Sequence, residues 1–340
     1  MAMQDPLKWG VLGAARVVEK LVPAIIAADN AVLVAIASRR AGAAAEAIEK
    51  YAQGQPIEAL DDPQDLLQRD DIDAIYLPMA NEEHAEWALK VIAAGKHVLI
   101  EKPMALRVSD INAIAEAADK ANVTVMEGFM YRFHPQHEAV REIIESGEIG
   151  EVRTVNTHFA FPMKPARLYR VNRSIDNGGG AMWDIGPYAV HTARLWFDDE
   201  PKAAFAMAHL NDHSADLSLA GQFDYGDGRY SQFEMSFQHA RRSTYEIIGT
   251  LGGIKCHQVW QPADQEPIIS WWTEAGKQEQ MILPVADQFV REIEHFSDCA
   301  LNHKPPVLTL ADARANCVAI EAALQSVRER RHIEITNRGS

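Results

Sequence analysis

Short apolar runs alternate with longer amphipathic stretches through the first 127 residues. The runs at 7–12, 32–37, 72–77, 97–100 and 123–127 read as buried strands, each bounded by turn residues. Between them, 17–28, 41–51, the stretch from His84 to a stop at Gly95, and 109–121 repeat at a helical period, and a shorter capped helix falls within the acidic segment 61–73. Strands that alternate with helices predict a parallel, doubly wound sheet. After Gly147 the rhythm changes. A helix at 135–146 leads into a long alternating strand at 152–161, followed by strand candidates at 203–210, 217–225, 229–237, 243–249, 254–258, 268–273 and 279–283. Tyr225-Gly226-Asp227-Gly228 and Gly249-Thr250-Leu251-Gly252-Gly253 join them as hairpins. The second half therefore reads as an α+β domain with a large, mostly antiparallel open sheet, one face of which needs helices or another subunit to cover it. Helices at 286–301 and 310–330 close the chain. The division drawn is a dinucleotide-binding Rossmann domain over 1–127 and a substrate-binding and oligomerisation domain over 128–340.

A chain of 340 residues is too long for one ordinary core, which agrees with two domains. A net charge of −15 argues against a nucleic-acid partner. Cys256, Cys299 and Cys317 lie far apart with no metal-ligand spacing, so neither zinc nor a disulfide framework is expected and a reducing, cytoplasmic setting is. The N-terminus enters a strand at once without a signal-like segment, and no run approaches bilayer-spanning length.

The candidate chemistry sits at strand ends. Gly13-Ala14-Ala15-Arg16 joins the first strand to the first helix, where a dinucleotide pyrophosphate rests on amides at a helix N-terminus. The glycine fingerprint is incomplete: Ala15 takes its second position and Val18 its third. The second strand ends in Ser38-Arg39-Arg40 rather than in an acid. Guanidinium forks suit the 2′-phosphate of NADP, the alternative being a basic loop that heads the next helix. Pro78 stops the third predicted strand, Asn81 is placed to cap the following helix, and His84 lies in that helix's first turn. Glu101-Lys102-Pro103 puts a carboxylate and an ammonium at the carboxyl edge of a buried strand, where open α/β sheets bind ligands. In the second half, Gly178-Gly179-Gly180 permits close backbone approach and introduces a helix on which Asp184, Tyr188 and His191, spaced by four and three, share one face. That face reads either as an acid–base surface or as a polar solvent stripe.

Gly13-Ala14-Ala15-Arg16, Pro78-Met79-Ala80-Asn81-Glu82-Glu83-His84, Glu101-Lys102-Pro103 and Glu127-Gly128-Phe129-Met130-Tyr131-Arg132-Phe133-His134-Pro135 occur in an order and spacing that resemble the glucose-fructose oxidoreductase/inositol dehydrogenase/rhizopine-catabolism family. Within it the chain looks most similar to the branch of dihydrodiol dehydrogenases and NADP-dependent xylose dehydrogenases. The resemblance implies a cis bond before Pro103 and a last helix that returns to the first domain, while the open face of the C-terminal sheet is expected to join a homodimer or homotetramer. It implies NADP held by Gly13, Ala15, Arg16, Ser38, Arg39, Arg40, Pro78, Asn81, His84, Glu101, Lys102 and Arg132. Glu101 either contacts a cofactor ribose or balances Lys102, and Arg132 either binds substrate or steadies the nicotinamide side. Relatives carry a histidine or, in this branch, a tyrosine four residues after the aspartate, so Tyr188 takes the acid–base role with Lys102 and Asp184 beside it. His191 is left structural or secondary, and Trp183 either narrows the pocket or packs in the core. The activity implied is hydride transfer between NADP and a carbon of a cyclic polyol, an aldose or a trans-dihydrodiol. A keto-sugar reductase running in the opposite direction is the alternative, and a non-catalytic NADP-binding sensor is the alternative of another class.

Overall fold

The computed structural model of the chain describes residues 5–260, 262 and 265–336. The chain divides into two compact units: one takes it up to Phe133 together with Asp287–Arg314, and the other takes His134–Ala286 and the chain from Ala315 on.

The first unit is built on six strands, β1 (Leu7–Leu12), β2 (Ala31–Ala37), β3 (Glu58–Leu60), β4 (Ala74–Leu77), β5 (His97–Glu101) and β6 (Val125–Gly128). They lie in the order β3-β2-β1-β4-β5-β6, every neighbouring pair parallel. Helices α1 (Val18–Ala27), α2 (Ala43–Tyr51), α3 (Pro63–Leu67), α4 (His84–Ala93) and α5 (Val108–Ala121) make the crossovers. All four residues of β4 are buried, as a strand covered on both faces requires. The order reverses between β1 and β4, which opens a crevice beyond their carboxyl ends. Strand β3 was not expected from the sequence, because three residues, two of them exposed, are too few to show a periodicity. Asp62 caps α3 by accepting from the Gln64 amide at 2.8 Å.

The second unit holds α6 (Gln136–Glu145), β7 (Val152–Ala160), α7 (Ala181–Asp184), α8 (Gly186–Phe197), β8 (Ala203–Leu210), β9 (Asp216–Gly226), β10 (Arg229–Ser236), β11 (Arg242–Gly249), β12 (Gly252–Cys256), β13 (Ile268–Thr273) and β14 (Gln278–Ile282). Helices α9 (Gln288–Asn302) and α10 (Leu310–Glu329) follow, then the two-residue strand β15 (Ile333–Glu334), also too short to read in advance. The nine strands run β14-β13-β12-β11-β7-β10-β9-β8-β15. Among the described residues of this sheet, β7 and β10 are the one pair that runs parallel. Helix α8 lies on β7 and β10, while alternate residues of the outer strands, Phe205 and Met207 among them, are exposed.

The domain limits differ from those drawn on the sequence. The first unit extends to Phe133 and recovers α9, whose buried Ile293 and Phe296 find their match there. The Phe296 ring lies 5.1 Å from that of Trp9, Trp9 Nε1 donates to Ser297 Oγ at 3.1 Å, and Asn30 Nδ2 donates to the Glu294 carbonyl at 2.9 Å. The last helix does not return as a whole. From Ala315 on it belongs to the second unit, where Ser326 Oγ accepts from the Ala206 amide at 3.0 Å.

Candidate active site

At the end of β1 the chain turns at Gly13, which adopts φ +128° while its amide donates to the Ala37 carbonyl at 2.8 Å. A Cβ there would stand 3.2 Å from Met79 Sδ, so the position favours glycine both by backbone and by space. Gly13, Ala15, Ser38, Arg39, Arg40 and Pro78, six of the expected cofactor residues, line one cleft of about 270 Å³, together with Met79, Ala80 and Glu83. The buried Ser38 accepts from the Arg40 amide at 3.2 Å, which fixes the loop after β2. The Arg39 and Arg40 side chains are 58% and 74% exposed, and Arg39 is paired with Glu83 at 2.7 Å. A glycine cradle at the switch point with two guanidinium groups beside it fits a 2′-phosphorylated dinucleotide.

Other expected cofactor residues fall outside that lining. Arg16 is exposed and pairs with Glu19 at 3.4 Å. Asn81 does not cap α4: Glu83 occupies the N-cap position, no side chain caps the helix, and Asn81 instead opens the 3-10 turn Asn81–Glu83. His84 is buried, with Nδ1 2.7 Å from the Pro103 carbonyl and Nε2 3.0 Å from that of Met79. Burial, helped by the nearby Lys102 ammonium, pushes its pKa below the ordinary imidazole value. The neutral ring carries one N–H and so donates to one of the two carbonyls. His84 thus ties the segment after β4 to the segment after β5, and its contacts are to backbone.

At the edge of β5, Glu101 accepts from the Tyr76 hydroxyl, Lys102 is half-buried, and the Lys102–Pro103 bond is cis. Glu127 Oε1 accepts from the Met104 amide at 2.6 Å and holds the loop that follows. Glu292, contributed by α9, is buried here. Burial and the Glu101 charge raise its pKa well above the usual carboxylate range. Arg132 lies on the 3-10 turn Met130–Phe133, and its Nε is buried without a hydrogen-bond partner among the described residues.

In the second unit the triple glycine leads into α7. Gly180 has φ +99°, and a Cβ on it would overlap Asp216 Oδ1. That close approach lets the fully buried Asp216, from β9, accept from the Met182 amide at 2.7 Å and from the Ala181 amide, so a strand residue caps the short helix. Burial pushes its pKa up to about 7. Trp183 donates through Nε1 to the Ile175 carbonyl at 2.8 Å and packs in the core. Asp184 forms an ion pair with Arg170.

The expectation that Asp184, Tyr188 and His191 share one helix face is corrected. Helix α7 ends at Asp184, Ile185 breaks the path at φ −123°, ψ −18°, and α8 begins at Gly186. Pro187 has no amide hydrogen to donate to the Trp183 carbonyl, so one continuous helix cannot form. Nor is there a solvent stripe. Tyr188 is 4% exposed, its ring 5.7 Å from Phe159 and 5.4 Å from Trp260, and His191 is buried as well. Arg170, Asp216 and Glu83 were missed by reading the sequence. The triple glycine signalled a close approach, but the partner lies 36 residues further on, in a strand.

A model of an oxidoreductase family with an NAD-binding Rossmann fold matches residues 7–129, and a model of the GFO/IDH/MocA C-terminal domain matches residues 137–255. A dTDP-3,4-didehydro-2,6-dideoxy-alpha-D-glucose 3-reductase from Actinomadura kijaniata is 30% identical over 331 residues, covering 96% of this chain and 98% of its own. A D-xylose 1-dehydrogenase (NADP(+)) from Haloferax volcanii is 28% identical, covering 97% of this chain and 100% of its own. Among solved structures, a 3-ketoreductase from Actinomadura kijaniata in complex with NADP and TDP-benzene superimposes with a TM-score of 0.87 at 30% identity, over 95% of this chain and 98% of that one.

Proposed function

Because this chain belongs to the GFO/IDH/MocA oxidoreductase family, we propose that it is an NADP-dependent enzyme transferring a hydride between the nicotinamide and a carbon of a cyclic polyol, an aldose or a trans-dihydrodiol. The observation that carries the cofactor is the cleft in which the Gly13 turn meets Ser38, Arg39 and Arg40. Gly13 and Ala15 would take the pyrophosphate and the two arginines the 2′-phosphate. When bound, NADP supplies the hydride acceptor or donor.

The rest is the work of side chains. Tyr188 exchanges the proton of the substrate hydroxyl. A free tyrosine has a pKa of about 10, too high for an efficient base near neutrality. The role therefore calls for a cation, and we assign it to Lys102. Asp184, oriented by Arg170, binds a substrate hydroxyl. His84 ties the residue after Lys102 to the segment after β4 through the Pro103 and Met79 carbonyls.

One observation favours a second reading, reduction of an anionic keto-sugar such as a nucleotidyl sugar. Lys164, Arg167, Arg170 and Arg173 fall in a stretch with no acid between residues 162 and 175, in a chain of net charge −15. The guanidinium groups of Arg167 and Arg241 lie over the same Phe161 ring, at 5.5 and 5.8 Å. Two cations on one ring suit a diphosphate. The similarity to a dTDP-sugar 3-reductase points the same way.

We assign the protein to the cytoplasm, a reading supported by three buried cysteines that form no disulfide among the described residues. It assembles as a homodimer or homotetramer through the sheet face that exposes Phe205, Met207 and Tyr230. The test of function is a fluorescence titration with NADPH and NADH followed by turnover on aldoses, dihydrodiols and nucleotidyl keto-sugars. NADPH binding with turnover on one class supports the assignment and fixes the class. Binding without turnover on any class would favour the sensor.

A further inference from the structure

The loop after β2 carries two arginines and no acid, yet an acid reaches it from elsewhere. Glu83, in the 3-10 turn before α4, lines the same cleft and holds Arg39 Nη2 at 2.7 Å through Oε1 and at 2.9 Å through Oε2. Its side chain is 26% exposed, against 58% for Arg39, so the carboxylate is the more enclosed partner. Arg40 is held more loosely, 3.7 Å from Glu46, with both side chains about three-quarters exposed. The two arginines are therefore not equivalent: one is already neutralised inside the cleft and the other is largely available.

We propose that Glu83 sets how strongly this chain prefers NADP over NAD, by neutralising Arg39 and by offering a carboxylate to an unphosphorylated ribose. The proposal rests on reading the cleft as a dinucleotide site. The chemistry is a competition at one guanidinium. A 2′-phosphate engages Arg39 only by displacing Glu83 or by sharing the group with it, and two anions at one cation repel. A ribose 2′-hydroxyl has no charge to be repelled and donates a hydrogen bond to a carboxylate, the role an acid at the end of β2 plays in NAD-binding folds. Here that place holds Ser38, and the acid comes from the 3-10 turn after β4 instead. The chain thus binds both nucleotides, with a preference for NADP smaller than two arginines alone would give.

The test is equilibrium binding of NADPH and of NADH, followed by nucleotide fluorescence, to the full chain and to Glu83→Gln. Glutamine keeps the shape and the hydrogen-bonding capacity and removes the charge. NADPH affinity is expected to rise about fivefold, the scale of one exposed ion pair, and NADH affinity to stay level or fall, so that the ratio moves toward NADPH. An unchanged ratio, or a loss of NADPH affinity, would overturn the proposal, since the second is what a residue that merely positions Arg39 for the phosphate would give. Repeating the substitution in an Arg39→Ala background tests the route. The NADPH gain should shrink, and a gain of full size would show that Glu83 does not act through Arg39. A wild-type chain that binds neither nucleotide would overturn the dinucleotide reading itself. Binding of both nucleotides with no effect of Glu83→Gln would overturn only the role given to Glu83.

Discussion

Asp216 accepts the Met182 amide hydrogen at 2.7 Å, so a residue of strand β9 caps the helix that ends in Asp184. The carboxyl is fully buried, and burial, which disfavours its charged form, pushes its pKa up to about 7. A folded pKa raised above the unfolded value of about 3.9 means that the folded chain binds the proton more tightly. The contribution of this group to stability is therefore complete below about pH 4 and is lost as the pH rises through about 7. Its full span is about 4 kcal/mol, since each tenfold gain in proton affinity is worth about 1.4 kcal/mol. Asp216→Asn, which keeps an acceptor for one amide, should remove that dependence. Urea unfolding of the two proteins from pH 4 to 8 should show their stability difference changing steadily in favour of the variant; a constant difference would refute the assignment. Gly180→Ala should destabilise at every pH, since its Cβ overlaps Asp216 and its φ is +99°.

Loss of Lys102 or of the Tyr188 hydroxyl should stop chemistry and spare folding. Lys102→Ala and Tyr188→Phe are each expected to lower kcat by about 10² to 10⁴, the range of general acid–base catalysis, with NADPH binding nearly unchanged. Tyr188→Phe keeps the ring that packs on Phe159 and Trp260, so its melting temperature should stay close to that of the parent. Unaltered kcat in either variant would remove that residue from the proton path.

Both fold classes were legible because apolar runs and helical periods are local signals, and every strand of the parallel sheet except the three-residue β3 needed only its own residues to be seen. The carboxyl-edge residues were legible for the same reason: Gly13, Ser38, Arg39 and Arg40 are fixed by the strands they follow. What stayed hidden is what one element supplies to another. Glu83 drew no reading of its own, and nothing in its neighbours tells that it reaches Arg39, 44 residues earlier. Helix α9 gave an apolar stripe but no address, and the match to Trp9 appears only when β1 is in place. The spacing of Asp184 and Tyr188 suggested one helix because the count was right, while the intervening Gly186-Pro187 argued for the break that the chain takes.

The arginine pair at the end of β2 should separate the two nucleotides. Replacing Arg39 and Arg40 together by Ala is expected to weaken NADPH by about tenfold or more and NADH by less than about threefold, because only the first carries a phosphate for the guanidinium groups. The NADPH affinity of the parent should fall more steeply with added salt than that of the variant. Equal losses for the two nucleotides would mean that the arginines hold the loop rather than read the phosphate.

Helix α9 is far in sequence from the sheet it completes, which makes its side chains a test of the division into units. Phe296 is fully buried and lies 5.1 Å from Trp9, with Ser297 beside it accepting from the Trp9 indole at 3.1 Å. Phe296→Ala removes a ring from a closed space and should cost about 3–5 kcal/mol. The cost should fall on the first unit, so amide exchange in β1, β2 and α1 should accelerate while exchange in β7, β10 and β11 stays slow. NADPH, which binds the folded first unit, should restore part of the lost protection by mass action. Accelerated exchange confined to the nine-stranded sheet would mean that α9 serves the second unit, and would return the boundary to where the sequence alone had drawn it.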